Sequence, residues 1–461
     1  MKPAQYTLYS NRDLINLIVP LVLETTLFVT VGMVDGMMVA YLGEASISAV
    51  SMVNLFNAFL QNIFIAISVG GIVTASQSLG RKDRNAACRI AGQTIFVEVI
   101  GATAIAILVL LFRRQLLNLI FGALEPAVME RCVTYLTITT IANPFIGLVS
   151  ACNSMFRTQN KSNISLMNSV WTNIINIVGN AILIFVFKLD VAGAAYATLA
   201  SRMITSIIAF YRLTSPKYEI FFNIHEKFHL SFSIIKKILY IGIPTSIENS
   251  MFTFGRVLTA GLVARYGTKE TSAFAVASHI DSFALLVGLG MCTSTMAVIG
   301  RCVGAGIEAQ LKYYLRKMML WAHIGHAGNC VLVLSFAPFL LSLYSKLNPE
   351  TIHLVWKLLF IHIGFGIVMW PASFTFPCAL RALNDVRFTM CASLSSMFLI
   401  RLGLSYVFAP MVHSGVLAVW IAMICDWIVR ISLFYGRYFS GGWRKNAKLK
   451  PIDEKTESNS N

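Results

Sequence analysis

Charge is scarce in this chain. Only 13% of its 461 residues are Asp, Glu, Lys or Arg, where a soluble chain carries about a quarter. That excludes two or three water-exposed globular domains. The nine cysteines are scattered (88, 132, 152, 292, 302, 330, 378, 391 and 425), with no CxxC and no repeated spacing. No disulfide framework or metal site is expected, and the cysteines read as small buried hydrophobes. There is no GxxxxGK[ST] phosphate cradle, so direct ATP hydrolysis is unsupported. HExxH and GxSxG are missing too, and no soluble loop is large enough to house a catalytic site. A membrane-embedded transferase would need a catalytic cluster at one lipid–water interface. The chain is therefore expected not to be an enzyme and to need no cofactor.

Apolar sequence is what the chain has in quantity. It is 56% hydrophobic, with a mean hydropathy of +0.69. Runs at 14–42, 88–112, 163–187 and 388–410 are each long enough to cross a hydrocarbon core of about 30 Å. The first run is too long for a cleavable signal and lacks a small-residue cleavage site. Twelve membrane spans are predicted, near 13–42, 46–79, 90–112, 131–156, 163–187, 191–213, 234–265, 271–300, 314–343, 353–380, 388–410 and 415–437. The net charge of +16 could suggest nucleic acid, but its distribution argues otherwise. With the N-terminus inside, 25 of the 37 lysines and arginines fall on the inner side and eight on the outer. That is the positive-inside bias, so both termini are expected in the cytoplasm of a bacterial inner-membrane protein. No nucleic-acid partner is expected, only the bilayer and a small-molecule substrate, with the chain acting as a monomer. The polar stretch after Trp443 reads as disordered.

The two halves repeat. A constant shift of 224 residues, without gaps, pairs Pro20 with Pro244, Glu24 with Glu248 and Phe28 with Phe252. The same shift pairs Gly43 with Gly267, Gly80 with Gly304, Arg157 with Arg381, Asn160 with Asn384, and Tyr196 with Trp420. Chance matches between two apolar sequences would not keep Pro, Gly, Arg and Asn in register over so long a stretch. The expected fold is an all-α membrane protein, twelve transmembrane helices in two six-helix repeats around a central cavity. The N-lobe (1–214, helices 1–6) and the C-lobe (234–440, helices 7–12) are joined by a cytoplasmic linker at 215–233 and followed by a polar tail at 441–461. An even number of spans per half gives both halves the same orientation, and rocking of the lobes would give alternating access.

The opening span, IVPLVLETTLFVTVGMVDGMMVAYLGEASISAVS, combines a proline with an aspartate fifteen residues later and a following Leu-Gly. With it come ASQSLGRKDRNAA after span 2, RTQNKSN after span 4, AGAAYATLAS opening span 6, ALRALNDVRF after span 10 and SGVLAVWIAMICDWIVR in span 12. In these segments the chain resembles the multidrug and toxic compound extrusion (MATE) transporters over essentially its whole length. The resemblance implies a secondary-active antiporter exporting small organic, cationic or amphipathic compounds. Flippases of lipid-linked sugars share the fold and are the alternative; a broad basic cavity lining would favour them.

Ionisable groups inside a span are costly and are functional candidates by default. Glu24 and Asp35, eleven residues apart on span 1, return to nearly the same helix face about 16 Å apart along the axis. Pro20 cannot bond the carbonyl of Asn16, so it gives span 1 a yielding point one turn before Glu24. Asn173, Asn176 and Asn180 form a helical stripe on span 5, and Tyr196 and Thr198 add hydroxyls from span 6. In the proton-coupled, DinF-like branch of the resembling family, a span-1 Asp joins an Asn and an Asp on span 5 and a Thr on span 6. That set carries over to Asp35, Asn176, Asn180 and Thr198. Asn180 stands where that branch has an acid, so one titratable group is missing and the stoichiometry stays open.

In the second half, Glu248 follows Pro244 as Glu24 follows Pro20, but Thr259 stands where the repeat places Asp35. Other branches of the family bind cations through acids on spans 7 and 10. Span 10 here has no acid, which argues against a sodium site of that type; the proton is the expected coupling ion, with sodium as the lesser alternative. Asp281, next to His279 at the start of span 8, could belong to the cavity or to the outer interface, and Glu98 in span 3 is similar, while the isolated His323, His326 and His362 read as satisfied polar residues.

Overall fold

The computed structural model describes residues 8–122, 124–224, 228–342, 344 and 348–447. Among these residues all regular structure is helical. The first repeat holds α1 (Asn11–Ala40), α2 (Glu44–Gly80), α3 (Arg84–Leu111), α4 (Arg113–Phe121), α5 (Pro126–Ile141), α6 (Asn143–Thr158), α7 (Ser162–Asn180) and α8 (Asp190–Leu213). The second holds α9 (Phe232–Ala264), α10 (Thr268–Ala284), α11 (Leu286–Ala305), α12 (Glu308–Ser342), α13 (Pro349–Trp370), α14 (Phe376–Ala382), α15 (Val386–Ser395), α16 (Gly403–Met411) and α17 (Gly415–Phe439). A short α18 (Arg444–Ala447) closes the described chain.

These helices make the twelve expected spans, several of them broken. Ten helical stretches are long and apolar enough to cross a membrane alone. An eleventh is the pair α5 and α6, bent by 42°. Pro144, in the first turn of α6, has no amide to carry helical bonding across the break at Ala142. The twelfth is α9, 33 residues long, in which Glu248, Asn249 and Arg256 dilute the apolar run. Span 8 is divided at Leu285 into α10 and α11. Wider π-helical turns interrupt spans 5, 10 and 11 at Ala181–Val186, Pro371–Thr375 and Ser396–Leu402.

The repeat is written in the backbone as well. Among non-glycine residues a positive φ is uncommon, yet Asn160 and Asn384, 224 apart, share φ of 61° and 63°. Gly43 and Gly267 share 96° and 97°, and Lys82 and Gly306 share 61° and 76°. Each pair follows a helix end, so both repeats turn their chain the same way at the same place.

Two compact units emerge from the packing. One comprises Ile15–Ala75 and Arg84–Ser250. Its buried apolar core runs from Val39 on α1 to Ala195 on α8. The other comprises the segment ending at Leu14, the tip Ser76–Asp83 of α2, and the chain from Met251 on. Its core runs from Leu262 to Trp427. Inside this second unit, the repeat-paired Gly80 and Gly304 touch. A Cβ on Gly80 would lie 2.1 Å from the Arg301 carbonyl oxygen, and one on Gly304 would lie 2.0 Å from that of Gln77. Only glycine permits so close a backbone approach.

The first part of the linker is held by hydrogen bonds to the first repeat. Arg84 donates to the Glu219 and Tyr218 carbonyls at 2.9 Å. Gln159 exchanges two bonds with the Ile220 backbone, at 3.1 and 3.0 Å. The stretch after Trp443 begins with order, against the expectation of disorder. Arg444 donates to Glu308 at 2.9 Å and Asn446 to Asp385 at 2.8 Å, while Trp443 is buried against Tyr438. The remainder of the tail, from 448 on, lies outside the described residues.

Candidate functional site

Helix α1 is loosely packed: 24% of its most apolar window is buried, against 61% in α2. Two polar ties fasten it to α7. At the first, the Glu24 carboxylate accepts from Arg157 Nη2 at 2.8 Å, from Ser165 Oγ at 2.9 and 3.0 Å, and from Ser169 Oγ at 2.8 Å. At the second, Asp35 accepts from Asn180 Nδ2 at 2.9 Å. Asn176 turns its amide nitrogen to both Asp35 oxygens (2.8 and 3.0 Å) and its oxygen to the Thr198 hydroxyl (3.2 Å). The reverse orientation would set an amide oxygen against a carboxylate. Eleven residues separate Glu24 from Asp35. Eleven also separate Ser165 from Asn176, and Ser169 from Asn180. Two helices running in the same direction with equal rise per residue therefore meet at both levels.

Asp35 borders a cavity of about 300 Å³, which Asn173, Asn176, Thr198, Arg202 and Phe28 also line. Arg202 lies within electrostatic reach of the carboxylate. Tyr135 lies beside Thr198 and Asp35, its hydroxyl giving to Asn54 at 3.2 Å. The chamber thus offers one carboxylate, one guanidinium, two amides, three hydroxyls and one phenyl ring. It can hold a small polar or charged group, and Asp35 can carry or release a proton there.

Four of the residues expected from sequence line this chamber, Asp35, Asn173, Asn176 and Thr198, and a fifth, Asn180, bonds Asp35 without lining it. Tyr196 does not line it. It is 48% exposed, because two residues along α8 turn the helix by about 200° away from Thr198. Glu24 belongs to the separate Arg157 tie and is not part of the cavity wall. Glu248 is buried on α9 and lies outside the lining. Pro20 and Pro244 sit inside continuous helices, and neither breaks its span. Thr259 gives its hydroxyl to the Arg256 carbonyl at 2.9 Å, so the second repeat has no counterpart of the Asp35 chemistry at that position.

Arg202 escaped the sequence reading, although an arginine within a span, four residues after Thr198, was a usable signal. Ser165 and Ser169 also escaped it, since serines in a span carry no signal of their own. Asp281 and His362, distant in sequence, are brought into contact in the second unit.

A family model described as MatE matches residues 20–182 and 244–407. The two matches start 224 residues apart, at the spacing of the repeat. The chain is 26% identical to a protein of Bacillus subtilis strain 168 described as an uncharacterized transporter, YisQ, over 96% of each chain. It is 25% identical to the probable multidrug resistance protein NorM of Thermotoga maritima, over 95% of this chain and 94% of that one. The crystal structure of MATE in the bent conformation superposes with a TM-score of 0.83 at 22% identity, covering 95% of this chain and 97% of that one.

Proposed function

Because the chain belongs to the MatE family of multi-pass membrane transporters, we propose that it is an antiporter that exports small organic compounds, cationic or amphipathic, in exchange for protons. We place it in a bacterial inner membrane with both termini cytoplasmic, working as a monomer. The observation that carries this reading is the Asp35 chamber: a carboxylate inside a membrane span, on the cavity wall, tied to its neighbours by reorientable polar groups.

As a carboxylate, Asp35 takes amide N–H bonds from Asn176 and Asn180. Once protonated it needs an acceptor for its O–H. The Asn176 amide supplies one by turning over, its nitrogen then giving to Thr198 at 3.2 Å. Thr198 in turn gives its own proton to the Ala194 carbonyl at 3.0 Å. The same heavy-atom positions therefore keep the Asp35, Asn176 and Thr198 side chains hydrogen-bonded in both protonation states. The charge-assisted bonds are the stronger ones, about 1.5–3 kcal/mol each against about 0.5–1.5 for neutral bonds. Protonation thus loosens the upper tie of α1 while the Glu24 tie holds, which frees the part of α1 beyond Glu24 to shift. A substrate cation in the chamber competes with the proton for the same carboxylate, and that competition is what exchange requires.

The test is transport by purified protein in proteoliposomes, with a proton or a sodium gradient imposed one at a time. Export of an organic cation driven by the proton gradient alone supports the reading. Export driven only by sodium refutes it.

A further inference from the structure

The second unit contains buried titratable side chains for which the Asp35 chamber has no use. Asp281 on α10 pairs through Oδ1 with Nδ1 of His362 on α13; their side chains are 16% and 5% exposed. The His362 ring lies 4.9 Å from Trp427 and 6.2 Å from Trp420. On α12, His326 is 1% exposed. Its ring is stacked on Trp370 at 5.1 Å and its Nε2 lies 3.5 Å from Cys330 Sγ. His326 Nδ1 has no hydrogen-bond partner among the described residues. Three helices thus bring one carboxyl and two imidazoles together inside a wall of indoles. No group of three or more His, Cys, Asp or Glu among the described residues could hold a metal ion.

We propose that Asp281 and His362, with His326 alongside, form a second proton-binding site, in the C-terminal repeat. The proton is the ligand that this geometry fits. A carboxylate against an imidazole nitrogen takes up one proton and passes from a net charge of −1 to zero. In an apolar surround, a pair that alternates between these states makes a strong electrostatic signal. A purely structural pair would be replaceable by apolar side chains at little cost, and it would not explain a second buried imidazole with an unpartnered nitrogen. The His326 and His362 rings lie within electrostatic reach of one another.

The charged and titratable groups around the pair come from every neighbouring element. On α10 itself, His279 Nδ1 is 3.4 Å from the Tyr344 hydroxyl. On α12, His323 bonds the Met319 and Val368 carbonyls, and Cys330 lies within electrostatic reach of Asp281. Arg401, in the π-turn of span 11, also reaches Asp281 electrostatically, but its Nη2 is on Met423 Sδ at 2.8 Å. On α17, Asp426 takes the Ser396 hydroxyl and Arg430 lies over Phe374 at 4.5 Å. On α11, Cys292 gives to the Phe374 carbonyl at 3.4 Å. His362 is therefore the group in direct contact with the Asp281 charge.

The binding of the proton is independent of the transport reading, whereas its use in transport rests on it. Two measurements keep them apart. Tryptophan fluorescence of the detergent-purified protein is followed between pH 5 and 8, because an imidazolium beside an indole quenches it. The wild type should show a sigmoidal change that His362→Asn, which keeps a nitrogen near the Nδ1 position, greatly reduces. Trp427→Phe should also reduce the change, by removing the reporter nearest the His362 ring. A flat wild-type curve, or an undiminished change in His362→Asn, overturns the proton site. In proteoliposomes under a one-unit pH gradient, His362→Asn should lower the substrate accumulation ratio about tenfold, one proton's share. An unaltered ratio overturns the coupling of this site while leaving the Asp35 reading standing.

Discussion

Replacing Asp35 by Asn removes one titratable proton site and little else. A pH difference of one unit is worth about 1.4 kcal/mol per proton exchanged, a factor of about ten in concentration ratio. With the membrane potential clamped at zero, each proton coupled to export therefore raises the limiting accumulation of substrate about tenfold. Asp35 collects amide bonds from Asn180 at 2.9 Å and Asn176 at 2.8 and 3.0 Å. An asparagine can keep the first with its oxygen and give its nitrogen to the turned-over Asn176 oxygen, as the protonated acid would. The fold should survive, with a stability change within about 2 kcal/mol, the difference between charged and neutral bonds. Asp35→Asn should then lower the accumulation ratio in proteoliposomes by at least about tenfold, at unchanged protein insertion. If the variant sustains the wild-type ratio with unchanged pH dependence, the carboxylate does not couple transport, and Glu248 becomes the first alternative.

Asn176→Leu should impair transport without impairing membrane insertion, since it leaves Asp35 with the Asn180 amide but without the group that serves both protonation states; unchanged transport would show the stripe to be packing. Arg157→Met should destabilise the protein by about 2–3 kcal/mol in thermal denaturation. That is somewhat less than the about 3–5 typical of a fully buried broken pair, because the two side chains are 23% and 12% exposed. Adding Glu24→Gln to it should restore most of the loss, and failure to do so would mean the tie is not what holds α1 there. Gly80→Ala should cost about 1–3 kcal/mol through overpacking, because its Cβ would meet the Arg301 carbonyl oxygen at 2.1 Å; a neutral effect on the melting temperature would show that the backbones separate easily.

Much of the architecture was legible because the bilayer reads sequence in one dimension. A hydrocarbon layer tolerates only self-satisfied helices, so length and hydropathy alone point to twelve spans. The offset of 224 anticipates that Asn160 and Asn384, or Gly43 and Gly267, turn the chain alike. The same one-dimensional reading brought Asp35 together with Asn176, Asn180 and Thr198, each pair of them within helical periodicity or carried over from the resembling family. It could not see the breaks at Ala142 and Leu285 or the π-turns, which hydropathy averages over.

What sequence alone determined is therefore whatever a helix face or a long apolar run encodes locally: the number of spans, the repeat, and the common face of Glu24 and Asp35. Only tertiary structure decided which polar groups meet. Tyr196 is two residues from Thr198 yet points away from the chamber, because helical rotation separates near neighbours. Glu24 and Arg157, and Asp281 and His362, are far apart in the chain yet paired, because the position of one helix beside another is set by packing over whole faces and leaves no local signature at the residues it joins.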